Sequence, residues 1–162
     1  MAGHNQALLL LIGKLTYTWS NTESLLIDVM AYQMGVDKEV AIVTYLTLNT
    51  TRARLDLIER LAKLGGVDPR DRDDILAMAT VMKTISKTRN KYSHSIFSFN
   101  ESGDIDRTEL LRIADFGPSV RYGKAEPVDE TEFKRLSQAI DTLVTTNRMI
   151  HNFLSARNLA IA

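Results

Sequence analysis

Cysteine is absent from the 162-residue chain, which excludes disulfides, thiolate metal sites and cysteine nucleophiles. The same absence suits a reducing compartment, and a cytoplasmic protein is expected. A net charge of one sign is also missing. Twenty basic and twenty acidic residues cancel, so no global field draws the chain to nucleic acid. Long apolar runs are lacking too. The stretch Ala7-Leu8-Leu9-Leu10-Leu11-Ile12-Gly13 is too short to span a bilayer, has no basic flank and precedes no small-residue cleavage site. It reads as the start of a core helix, and no membrane partner is expected. There is no phosphate-cradling glycine loop, dinucleotide fingerprint or catalytic-serine elbow, and Gly65-Gly66 reads as a helix stop. His151 has no second histidine at ligand spacing, so no metal is expected, and no cofactor either.

What remains is an ordinary globular composition, 44% apolar and 25% charged, in a length that suits one domain over residues 1–162. Helix signals dominate it. Leu8, Leu11, Leu15, Trp19, Thr22, Leu26 and Val29 recur at steps of three and four, which predicts one inward stripe on a helix from about Asn5 to Met34, closed by Gly35. Asp37 starts a second helical region that ends before Gly65, with a break at Leu48-Asn49-Thr50-Thr51, residues that favour caps over helix interiors. Its later half carries Leu55, Ile58, Leu61 and Leu64. Asp68-Pro69 restarts the chain as a third helix. Its apolar face holds Ile75, Met78, Met82 and Ile85, and the next two positions of that stripe are Arg89 and Tyr92. Asp129-Glu130-Thr131-Glu132 reads as a capping box before a last helix with Phe133, Leu136, Ile140, Leu143, Ile150 and Leu154 inward.

Residues 95–127 change character. Ile96-Phe97-Ser98-Phe99 alternates with period two, residues 100–104 form a turn, and the stretch from Ile105 to Ile113 can pair back. Gly117-Pro118 and Glu126-Pro127 punctuate the end of this insertion. The expected fold is all-α: an antiparallel bundle of four to five helices with a β-hairpin or ordered-loop insertion before the last one.

Charge is unevenly placed. No acid lies between Asp74 and Glu101, a stretch holding Lys83, Lys87, Arg89 and Lys91, whereas nine acids face four bases from Glu101 to Glu132. Within the acid-free stretch lies Arg89-Asn90-Lys91-Tyr92-Ser93-His94, the one segment suited to chemistry. Arginine is a permanent planar cation matched to phosphate oxygens, histidine exchanges a proton near neutral pH, and asparagine can orient either. On a continuing helix Asn90 and His94 share a face. Together the three can act on a phosphodiester whose nucleophile is the 2′-hydroxyl of RNA. In a chain with this many arginines the Arg–His spacing carries little alone. Asn90, the acid-free helix end and an arginine on the core stripe give it weight.

These six residues resemble the R-x4–6-H signature of HEPN domains, in which a polar residue often follows the arginine. The helical bundle and the motif's place near the end of a helix are similar too. The resemblance implies a homodimer with two motifs facing across the dyad, and metal-independent endoribonuclease activity, often in toxin–antitoxin or phage-defence systems. It implies proton transfer by His94, stabilisation of the phosphorane-like transition state by Arg89 and positioning by Asn90. RNA and an antitoxin protein are the implied partners, with Lys87, Lys91 and Tyr92 as flanking substrate-binding residues.

Glu23 sits beside the main stripe and is expected either to orient Arg89 or His94 or to remain an ordinary helix glutamate. Trp19 is expected as an interhelical anchor, the Met30, Met34, Met78 and Met82 set as core filler, and His4 as part of a frayed end. Two other functions stay open. One is a non-catalytic HEPN-like module that binds a protein, nucleotide or RNA and uses Arg89 structurally; the other is a dimerisation bundle with no ligand.

Overall fold

The structure, a computed structural model, describes residues 2–158. Five helices span most of them: α1 (Ala2–Met34), α2 (Lys38–Thr47), α3 (Thr51–Ala62), α4 (Pro69–Ser93) and α5 (Glu130–Ser155). Five strands lie between α4 and α5: β1 (Ser95–Phe99), β2 (Ile105–Leu110), β3 (Ile113–Phe116), β4 (Ser119–Tyr122) and β5 (Ala125–Pro127). The chain divides into two units, Thr18–Ser86 with Asp141–Ala162, and Met1–Tyr17 with Lys87–Ile140. Among the described residues no helix is long and apolar enough to cross a membrane.

The first unit is helical. Its inward stripe on α1 is buried at Trp19, Thr22, Leu26 and Val29, and that on α4 at Ile75, Met78, Met82 and Ile85. Each such large side chain contributes about 1.5–3 kcal/mol by leaving water. The helix ends follow local chemistry. At Gly35 the N–H reaches Tyr32 O, and the next N–H, from Val36, reaches Ala31 O, closing α1. The break at residues 48–50 is real: Thr50 accepts from Ala53 N at 3.1 Å and caps α3. Asp68 Oδ1 accepts from Arg70 N at 2.8 Å to start α4. Asp37 precedes α2 without a side-chain cap, and Leu64, past the end of α3, is exposed rather than inward.

The second unit corrects the all-α expectation. The chain is mostly helical, but residues 95–127 build two antiparallel sheets, three-stranded in the order β1-β2-β5 and two-stranded β3-β4. The first hairpin was legible, with Phe97 opposite Thr108 and Ser95 opposite Leu110. The rest was not. Gly117-Pro118 does not end the insertion but turns β3 into β4: Phe116 pairs with Ser119, and Gly117 takes a φ of 59°, the positive value a tight hairpin loop wants first. A short return strand then sets Glu126 opposite Thr108. Gly123 allows that return, because a Cβ there would sit 1.9 Å from the Leu110 carbonyl oxygen.

The start of α1 is fixed to this sheet rather than frayed. His4 Nε2 bonds Ile105 O at 2.9 Å, and Asn5 both accepts from Ile105 N at 2.8 Å and donates to Gly103 O at 2.8 Å.

Candidate functional site

The end of α4 meets one face of the three-stranded sheet and leaves an open cleft of about 440 Å³. Lys87, Asn90, Lys91 and His94 form its helical wall. Their spacing of three, four and seven places them on one helix stripe. The opposite wall follows from strand pairing. Residues directly opposite one another, and residues two apart on a strand, share a sheet face. Ser95, Thr108, Leu110 and Glu126 therefore face one way, and all four line the cleft. Leu111, Arg112 and Lys124, from the segments flanking β3–β4, complete it.

His94 is held by its backbone and presented by its side chain. Its N–H bonds Asn90 O at 3.1 Å, prolonging the last turn of α4, and its carbonyl accepts from Leu111 N at 2.8 Å. The imidazole is exposed. Asn90, also exposed, accepts from Arg89 Nη1 at 2.8 Å through Oδ1. That bond orients the amide, so Nδ2 is left as the donor toward a ligand.

Arg89 does not line the cleft. It is half-buried on the stripe of Met82, Ile85 and Tyr92, and His94 follows it by five positions, which on a continuing helix sets their directions about 140° apart. Within one chain the structure thus joins Arg89 to Asn90, and Asn90 to His94, without placing all three on one surface.

The flanking residues separate. Lys87 is an exposed cation of the cleft. Lys91 is a strut: its Nζ lies 2.6 Å from both Glu126 Oε2 and Glu132 Oε1. This pairing holds the Glu126 carboxyl below the ordinary carboxylate range and neutralises the one acid that lines the cleft. Tyr92 faces inward, 5% exposed, with its hydroxyl on Glu132 Oε1. Burial first and the Glu132 carboxylate second push this phenol well above its ordinary value, so it remains a donor. The position that reads as substrate-binding in sequence is therefore a packing position. Glu132 itself departs from the capping-box reading. Its N–H donates to the cap, Asp129 Oδ1, at 3.0 Å, while its carboxylate serves Tyr92, Lys91 and Arg135.

Glu23, in the helical unit, has partners of its own. Oε2 accepts from Trp19 Nε1 at 2.8 Å, and Oε1 from Thr51 Oγ1 and Arg54 Nη1, each at 3.2 Å. Arg54 also donates through Nε to the carbonyls of Tyr45 and Leu48, the end of α2. Glu23 is thus the keystone of the α2–α3 junction, and this accounts for a carboxylate beside the core.

Sequence reasoning missed Thr108, Arg112, Lys124 and Glu126 as neighbours of the motif. Strand register brings Thr108 and Glu126 there, and the segments flanking β3–β4 bring Arg112 and Lys124; nothing short of the strand pairing would have signalled it. Among the described residues no group of three or more His, Asp or Glu side chains is placed to hold a metal ion. No protein-family model, curated protein or solved structure matches the chain.

Proposed function

We propose that the protein is a metal-independent endoribonuclease of HEPN type, acting in the cytoplasm in a toxin or phage-defence setting. The observation that carries this reading is the placement of exposed His94 and oriented Asn90 in a cleft whose exposed cations are Lys87, Arg112 and Lys124. The RNA 2′-hydroxyl attacks the adjacent phosphorus as His94 takes its proton, the bond from phosphorus to the 5′-oxygen breaks, and that oxygen leaves as a hydroxyl with a proton from water. Asn90 holds a phosphate or ribose oxygen, and the negative charge that develops on the non-bridging phosphate oxygens is met by Arg89. On this reading a homodimer supplies the missing convergence, with the Arg89 of each protomer serving a site shared with its partner, and an antitoxin protein restrains it.

A second reading has its own support. Arg89 lies on the core stripe, half-buried, which suits an arginine that holds helices together in a non-catalytic module binding RNA, a nucleotide or a protein. The ends of the products decide between them. Attack by the 2′-hydroxyl leaves a 2′,3′-cyclic phosphate and a 5′-hydroxyl, which mass spectrometry of a digested oligoribonucleotide reads directly. Intact RNA, or 5′-phosphate products, would remove the nuclease reading.

A further inference from the structure

The cleft is built for more than a phosphate. Three features line it. Lys87, Arg112 and Lys124 are exposed cations. Leu110 and Leu111 give an apolar part, and Leu111 is 67% exposed, a solvation cost that a flat apolar partner would remove. The third feature is Thr108, 1% exposed on the central strand, whose Oγ1 has no hydrogen-bond partner among the described residues. A buried hydroxyl left unpaired costs about 1–3 kcal/mol. Thr108 shares its sheet face with Leu110 and Glu126, the face that lines the cleft. Its neighbour Glu126 is ion-paired, with Lys91 at 2.6 Å from one oxygen and Lys124 at 3.9 Å from the other.

Cations, an apolar plate and one unpaired hydroxyl are what a nucleotide needs: its phosphate, the face of its base and one polar edge. The volume falls within the range of about 300–1,000 Å³ typical of small-ligand sites. We propose that the sheet wall is a nucleotide subsite that seats one residue of the RNA. Its phosphate lies toward Arg112 and Lys124, its base lies on Leu110 and Leu111, and the Thr108 hydroxyl reads an edge of the base. The proposal rests on the ribonuclease reading for the polymer that occupies the site. It assigns sequence preference to residues 105–127 rather than to the Arg89–His94 motif.

The experiment is calorimetric titration of the purified protein with the 3′-monophosphates of the four ribonucleosides and with inorganic phosphate. Nucleotides are expected to bind at least about tenfold more tightly than inorganic phosphate, with one base preferred. The Arg112→Ala/Lys124→Ala double variant should weaken all four by about tenfold or more, the loss of a charge-assisted contact. Thr108→Val, which keeps the side-chain shape and removes the unpaired hydroxyl, should preserve the fold and reduce the preference among bases by roughly three- to tenfold. Nucleotides that bind no better than phosphate, or variants that bind as the wild type does, overturn the proposal. RNA cleavage measured in parallel separates the two readings. Nucleotide binding without cleavage leaves the subsite and removes the nuclease, and cleavage with unchanged base preference in Thr108→Val does the reverse.

Discussion

Arg89 Nη1 donates to Asn90 Oδ1 at 2.8 Å, so the arginine of the motif fixes the amide that faces the cleft. Asn90 is then a positioning group whose removal leaves His94 and the fold in place. Asn90→Ala is expected to slow RNA cleavage by roughly tenfold, the worth of one oriented hydrogen bond. Its melting temperature should stay within about 2 °C of the wild type, as suits an exposed position. Cleavage at the wild-type rate would show that the bond has no part in the reaction.

Lys91 joins Glu126 on β5 to Glu132 on α5. Lys91→Met keeps the stem but leaves Glu132, 4% exposed, with one cation fewer. Losing one partner of a buried pair should cost about 2–3 kcal/mol. For a chain of this length that corresponds to a fall in melting temperature of about 4–12 °C, read by differential scanning calorimetry. An unchanged transition would mean that Tyr92 and Arg135 suffice for Glu132.

Gly123 stands where a side chain cannot, since a Cβ at this position would fall 1.9 Å from a backbone oxygen rather than from a movable side-chain tip. Gly123→Ala should displace β5 from β2 and open the sheet wall of the cleft. Amide exchange at Thr108 and Glu109 is expected to accelerate, together with loss of nucleotide binding. Unaltered exchange there would show that the return strand tolerates the shift.

The acid limb of stability is expected to involve Asp71. Arg157 Nη2 and Tyr32 Oη both donate to its carboxylate, and the Arg157 hydrogen bond, opposed by burial, holds that carboxyl below its ordinary value. A depressed carboxyl contributes stability that is complete above its unfolded value, about 4, and lost as pH falls through the folded one. Asp71→Asn should therefore melt below the wild type at pH 7, with the gap closing as pH drops below about 4. A gap of constant size from pH 7 to pH 3 would contradict the assignment.

The helices were legible because burial imposes a period on them. The stripes through Trp19 and Leu26 on α1, and through Met78 and Met82 on α4, face inward as the spacing requires. Thr50, Asp68 and Asp129 announce helix starts with side-chain oxygens that do accept backbone N–H groups. The second hairpin was illegible for the converse reason. Ile113, Phe116, Val120 and Tyr122 are all exposed, so no buried face enforces alternation, and Asp115 interrupts the face of Ile113, Val120 and Tyr122. Within the motif, the sequence identified Asn90 and His94 as neighbours because helix spacing alone sets their face. The place of Tyr92 on the apolar stripe after Ile85 already pointed inward, as found, but nothing in the sequence showed that Glu132 takes its hydroxyl. Thr108 and Glu126 lie beside the motif only through pairing across strands, and sequence distance hides such contacts.

Proton transfer by His94, in cleavage of RNA without a metal, is the step on which the proposed function stands. The most direct measurement is the single-turnover rate on a single-stranded oligoribonucleotide in excess chelator, for the wild type and for His94→Ala purified side by side. Cleavage by the wild type is expected, with a rate at least about 100-fold lower for the variant, the usual worth of a general base. Equal rates for the two proteins, or intact RNA with both, would contradict it.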